Sequence, residues 1–196
     1  HLIFLTYLYN IKMKSYSQAL KILKENKIKI NDENINSSES LNRVSSVNIY
    51  TNLDYPSANN ASFDGYAIKS KDTNKLNYKI YQKFKIIGSI AAGDKPIKKK
   101  IKKFEKFEIM TGALIPKSFD AIIPIEQINF YPNKKKAKYI LLNKKVPKFE
   151  YVRFKGSDYK KGDLLISKGT ILQSSHILAL KILGIKKVKV KKIPNI

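Results

Sequence analysis

Between Tyr66 and Val152 no helical period lasts longer than two turns, and this constrains the fold more than any other feature of the chain. Short apolar runs alternate there with polar, lysine-rich turns: Phe107–Met110, Ala121–Ile125 and Tyr139–Leu142. Short strands spaced in this way point to a small barrel or sandwich. Tyr78 to Gly88 alternates imperfectly, and Tyr78, Ile80, Phe84 and Ile86 are expected on one strand face. The lysine runs 98–100 and 134–136 are expected at solvated hairpin tips.

Helical periods are confined to the two ends. Ser15-Tyr-Ser-Gln18 is a capping box, after which Tyr16, Ala19, Leu20 and Leu23 recur on one helical face until about Asn26. Ser38 to Val44 reads as a short helix stopped by Asn42, a residue that tolerates left-handed backbone. Val47 to Leu53 reads as extended. Gly162 to Leu172 reads as a hairpin, and Ser174 as the cap of a helix carrying Ile177, Leu178, Leu180 and Leu183 up to Gly184. His176 falls in the first turn of that helix, where a surface position is expected. Lys186 to Val190 alternates as a strand. Both terminal helices are expected to close the same core. The run Leu2–Tyr9 is far short of the ~20 residues a membrane span needs. It also lacks the basic lead and cleavage site of a signal peptide, so Met13 is the more natural start.

Composition narrows the chemistry. The 196 residues include no Cys, which removes disulfides, thiolate metal sites and a cysteine nucleophile, and only two His, which removes a His-rich zinc site. Catalysis must then run on carboxylates, hydroxyls, lysines or a hard metal ion. The formal charge of +24 fits an anionic partner of some kind. Only Arg43 and Arg153 are arginine, however, and base readout and bidentate phosphate clamps favour Arg. Abundant Ile and Asn beside the Lys suggest a global compositional bias, so no specific nucleic-acid partner is expected. No P-loop or dinucleotide fingerprint is present.

Two stretches stand apart from ordinary core. The first is Pro56-Ser-Ala-Asn-Asn-Ala-Ser-Phe-Asp-Gly-Tyr-Ala-Ile68, in which a polar loop delivers the Asp64 carboxylate at the lip of a strand, with Gly65 read as a turn residue. The second is Ile109-Met-Thr-Gly-Ala-Leu-Ile-Pro116, continuing Lys117-Ser-Phe-Asp-Ala-Ile-Ile-Pro-Ile-Glu126. Together they resemble PGFDNSAMDGYAV and IMTGAPVPEGADAVVMQE, signatures of the molybdopterin molybdenumtransferases, the family of bacterial MoeA and the gephyrin E domain. A third stretch, Arg153-Phe-Lys-Gly-Ser-Asp158, is similar to the family's Arg…Gly-Glu-Asp, with Ser157 in place of Glu.

The resemblance covers residues 13–194 and implies an α+β fold: an elongated mixed α/β first domain, residues 13–53 and 153–196, with an inserted β-rich, barrel-like second domain, residues 54–152. It reaches the first half of the family's architecture, and the chain stops where the third, molybdopterin-binding domain is expected. The family inserts molybdate into adenylylated molybdopterin, releases AMP and requires Mg²⁺. Members are cytoplasmic homodimers whose active cleft is shared between subunits. Carried over residue by residue, the resemblance makes Asp64, Thr111 and Asp158 catalytic, Asn60, Ser62 and Gly112 substrate-binding, and Asp64 a ligand of Mg²⁺. Glu126 matches a further family carboxylate. Asn59, Ala61, Ser62 and Phe63 depart from the pattern, standing where the family has Asp, Ser, Ala and Met. The fragment by itself is expected to be inactive. The gephyrin branch leaves a scaffold role open, since fold alone does not fix function. A basic nucleic-acid-binding β domain is the more distant alternative. No membrane partner is expected.

Overall fold

The computed structural model describes residues 13–26, 29–95, 97–98 and 100–194; the apolar run 2–9 lies outside them. Helix α1 (Tyr16–Glu25) starts on the expected capping box: the Ser15 hydroxyl accepts from the Gln18 N–H, and the Gln18 side chain accepts from the Ser15 N–H. Its apolar stripe does not close the core as the sequence suggests. No residue of α1 is buried, and Tyr16 and Leu23 are largely exposed.

The strands are β1 (Asp32–Asn36), β2 (Ile49–Tyr50), β3 (Asn60–Ala61), β4 (Gly65–Ile68), β5 (Gln82–Ile90), β6 (Glu105–Ile109), β7 (Ala121–Pro124), β8 (Asn129–Tyr131), β9 (Tyr139–Leu142), β10 (Val152–Arg153), β11 (Leu164–Ile166) and, after helix α2 (Ser174–Ile182), β12 (Lys187–Lys191). Six of them form one curled sheet in the order β7-β4-β6-β5-β9-β8, a half-barrel in an otherwise mixed α+β chain.

Strand alternation builds a core on each face of this sheet. Ala67, Phe107, Ile109 and Ile122 pack on one side, while Tyr66, Ile68, Phe84, Ile123 and Ile140 pack on the other. The same alternation turns Lys106 inward, between Glu105 and Phe107. It is fully buried, and its ammonium nitrogen lies 3.5 Å from the centroid of the Phe84 ring. That nitrogen has no hydrogen-bond partner among the described residues. Burial pushes its pKa down to about 6, with the Asp72 charge offsetting part of the shift.

Several expectations change where pairing is non-local. The strand expected from Tyr78 begins only at Gln82; Tyr78 and Ile80 are exposed because they precede the pairing of Gln82 with Leu142. β5 and β6 run parallel, so Lys98 and Lys100 lie in a crossover, not at a hairpin tip, whereas 134–136 do cap the antiparallel β8–β9 pair. Residues 162–172 do not fold back on themselves. β11 pairs with β2, and Ile171 bridges Val44. The expected helix at 38–44 is a 3-10 turn, Ser37–Glu39, although Asn42 does take the left-handed conformation at φ 62°. α2 is capped by Gln173 and not Ser174, with the half-buried His176 accepting the Gln173 N–H through Nδ1.

The first and last segments join through the antiparallel pairing of β1 with β12 and through a third core of Ile166, Leu172, Leu180, Val188 and Val190. Arg43 seals this junction, donating to Glu33 and to the Lys191 carbonyl.

Candidate functional site

The loop that enters β4 is strapped down along its whole length. The Asn59 carbonyl accepts from Ile115 N–H at 3.0 Å, and the Ala61 N–H donates to the Ala113 carbonyl at 3.0 Å. The Ala61 carbonyl accepts from Gly112 N–H at 2.9 Å. On the other flank, Ser62 N–H donates to the Tyr151 carbonyl and the Asn59 side chain accepts from Lys155 N–H. Phe63 sits edge-on to the Tyr151 ring, centroids 4.9 Å apart. Beyond the loop, the Asp64 carbonyl accepts from Ile125 N–H, next to the exposed Glu126.

Gly65 is required for a reason the sequence does not show. It is not a turn residue but the first residue of β4, paired with Ile109 and Pro124. A Cβ there would lie 2.0 Å from the Ile123 carbonyl oxygen, so any other residue would push β4 off β7. This close pairing fixes where Asp64 leaves the sheet.

The centre of the site joins the two motif loops. Asp64 Oδ1 accepts two hydrogen bonds from Thr111, one from the backbone N–H and one from Oγ1–H, each 2.7 Å. These bonds, the backbone one foremost, hold the carboxyl below the usual aspartate range. Asp64 therefore does not cap its own turn. It bonds to a residue 47 positions away, and both side chains are exposed at the surface. Gly112, left-handed at φ 79°, turns the second loop so that its own N–H meets Ala61 while Thr111 faces Asp64.

The remaining expected residues fall around this pair. Ser62 is tied through its backbone N–H to the Tyr151 carbonyl and not to this pair. Asn60, paired with Arg153 in the β3–β10 ladder, buries a side-chain oxygen without a hydrogen-bond partner among the described residues. Asp158 belongs to a separate cluster. It accepts from the Arg153 guanidinium and from Ser157 Oγ, and these contacts, Arg153 first, hold its carboxyl low. Its backbone N–H is anchored on the Tyr55 carbonyl. Tyr151 and Lys155 brace the Asp64 loop through backbone groups, which no side-chain motif announces.

An ionised, exposed carboxylate with a depressed pKa is a weak base at neutral pH. It suits holding a cation or accepting hydrogen bonds from a ligand. Among the described residues, no group of three or more His, Cys, Asp or Glu side chains is gathered to hold a metal ion. Mg²⁺ carried on substrate phosphates needs only one or two carboxylates, and Asp64 fits that lesser part.

Residues 14–184 match the model of the MoeA N-terminal region, domains I and II. The chain belongs to the MoeA family. Among its MoeA relatives, the molybdopterin molybdenumtransferase of Staphylococcus epidermidis is 30% identical over 182 residues, 93% of this chain and 42% of the relative. The protein of the same name from Staphylococcus aureus is 31% identical over 158 residues, 81% and 36% of the two chains. The crystal structure of the molybdopterin biosynthesis moeA protein from Pyrococcus horikoshii OT3 superposes with a TM-score of 0.80 at 33% identity, over 93% of this chain and 47% of that one. The chain thus spans less than half the length of these MoeA relatives. No helix among the described residues is long and apolar enough to cross a membrane.

Proposed function

We propose that this chain supplies domains I and II of a molybdopterin molybdenumtransferase, the cytoplasmic enzyme that inserts molybdate into adenylylated molybdopterin and releases AMP. The observation that carries this reading is the Asp64–Thr111 contact, which ties the two family motifs into one exposed, negatively charged site. Domain I takes residues 13–53 and 153–196, in keeping with the β1–β12 and β2–β11 pairings, and domain II takes residues 54–152.

In this reading Asp64 is the residue that would hold Mg²⁺, which supplies charge neutralisation at the phosphoanhydride. Thr111 fixes the rotamer and the ionised state of Asp64. Gly112, Asn60 and Ser62 form the rim against which the substrate lies, and the buried Asn60 side-chain oxygen is the acceptor in need of a donor. Asp158, already paired with Arg153, holds the junction with β10 and contributes to the cleft from its edge. The full enzyme acts as a homodimer, with this site facing the molybdopterin-binding region of the other subunit.

The test joins the 196 residues in frame to the remaining region of the Staphylococcus epidermidis relative and measures molybdenum cofactor formed from molybdate and adenylylated molybdopterin. Formation that depends on Asp64 is the expected result. Formation by the 196 residues alone would overturn the assignment of roles.

A further inference from the structure

The edge of the six-stranded sheet opposite β7 carries a surface that the Asp64 site does not use. Phe84, Ile140 and Leu142 point into the core, and Phe130 packs against it, so their neighbours point outward. On that outer face two cross-strand rows align: Lys83 with Leu141 and Asn129, and Lys85 with Tyr139 and Tyr131. The Tyr131 and Tyr139 rings meet at a centroid distance of 6.4 Å, and the Lys83 ammonium lies 3.7 Å from the Tyr131 centroid. Tyr131 remains 43% exposed on the outermost strand. Tyr78 and Tyr81 stand exposed just ahead of β5, held beside β9 by the Asn143 side chain, which donates to the Tyr78 carbonyl. At the other end, the turn Lys134–Lys136 closes β8 onto β9.

The charge here is mostly positive, with Glu105 of β6 opposite Lys85 at the inner margin. Residues 73–93 and 127–149, which contain all three strands, carry eleven lysines and no Asp or Glu. A general compositional bias explains many lysines. It does not explain exposed tyrosine rings interleaved with them in register on one sheet face.

Exposed rings on a sheet offer flat partners for unpaired bases, and lysines beside them neutralise the backbone between those bases. Duplex readout needs an element that enters a groove and arginine forks that read base edges, and this face has neither. An amphipathic membrane surface would present a continuous apolar stripe, whereas here lysines alternate with the rings, Lys83 against one side of Tyr131. We propose that the outer β5–β9–β8 face binds single-stranded nucleic acid without reading its sequence, stacking bases on Tyr131 and Tyr139 and holding phosphates with Lys83, Lys85 and the 134–136 turn.

The experiment measures fluorescence anisotropy of a labelled 20-nucleotide oligothymidine, and of a 20-base-pair duplex, against the 196-residue chain at 50 and 150 mM NaCl. Oligothymidine is expected to bind more tightly than duplex. Tyr131→Ala and Tyr131→Leu are each expected to weaken it about tenfold, the loss of roughly one stacked base, while Tyr131→Phe stays within about twofold. Lys83→Gln with Lys85→Gln is expected to lower the salt slope by about one to two. Lys186→Gln with Lys187→Gln, exposed lysines at the start of β12, serves as the control. Circular dichroism confirms that each variant folds, and Tyr131→Leu keeps the test decisive if Tyr131→Ala does not. Duplex bound as tightly as oligothymidine would overturn the proposal, as would unchanged affinity in Tyr131→Leu. A loss in the control as large as that in the Lys83/Lys85 pair would reduce the effect to net charge. Tyrosine-dependent binding to phosphatidylserine vesicles, with none to oligothymidine, would assign the face to membrane instead.

Discussion

Strand β6 has Lys106 near its start and the Asp64 carboxylate of the β4 loop beside its end, and the fold treats the two in opposite ways. At its start Lys106 is enclosed by the second core, has no hydrogen-bond partner and is pushed down to about 6, so it is mostly neutral at pH 7. Just past its end, Thr111 gives both of its donors to Asp64, which stays ionised at the surface. Hydrogen-bond partners are thus concentrated where water could have served, and lacking where water cannot reach. A buried amine without partners costs stability, whether it gives up its proton or keeps it, whereas two bonds to an exposed carboxylate add little, because water competes for it. The Asp64 arrangement is therefore poorly explained as stabilisation. It is well explained as orientation of a charge toward something outside the chain.

The largest effect expected from this contrast is on activity. Asp64→Asn keeps the shape and the hydrogen-bonding capacity and removes only the charge. In the joined protein it should lower molybdenum insertion by about 10²-fold or more with the melting temperature nearly unchanged. An unchanged rate would mean that Asp64 only ties loops together.

Lys106 should show the reverse pattern. Lys106→Met keeps the packed stem and deletes the amine, and at pH 7 it should stabilise the chain by about 2 kcal/mol. The sign follows from proton binding. Between about 6 and the ordinary lysine value, the unfolded chain binds a proton that the folded chain does not, so native stability rises with pH across that window. Below about 6 both states bind it and the dependence vanishes. Urea unfolding at pH 6, 8 and 10 should show this rise in the native chain and its loss in Lys106→Met. A flat native profile would mean that Lys106 finds water or an anion inside the barrel.

Thr111 links the two cases. Thr111→Ala removes the hydroxyl donor and leaves the N–H donor, so the rate should fall about tenfold in the joined protein. The Asp64 carboxyl, followed by NMR, should titrate closer to the ordinary aspartate value. Thr111→Ser should restore both readouts. Restoration of neither would place the role of Thr111 in its methyl group and not its hydroxyl.

The smallest effect belongs to the Arg153–Asp158 pair. Both side chains are partly exposed, so Arg153→Ala should cost no more than about 1 kcal/mol in thermal or urea unfolding. A larger loss would show that this pair fixes the junction where β10 meets β3.

Local features of this protein were written in the sequence. The capping box at Ser15 and Gln18, the left-handed Asn42, the strand Tyr139–Leu142 and the arrival of Asp64 at a strand each depend on neighbours a few residues away, and a few side chains suffice to set them. The two motif loops were legible as well, because their residue order carries the family resemblance. What depends on distant chain was decided only in three dimensions. Leu164 meets Tyr50 instead of folding back, Tyr78 misses the sheet, and α1 keeps its stripe exposed, because pairing depends on which edges are free once the whole chain is packed. Gly65 looked like a turn residue and is held by the Ile123 carbonyl. Lys106 looked like one lysine among many, since strand alternation assigns a residue to a face without saying which face the fold will bury. For the same reason Asp64 and Thr111 could be named separately from the sequence. Their shared hydrogen bonds required β4 and β6 to lie side by side.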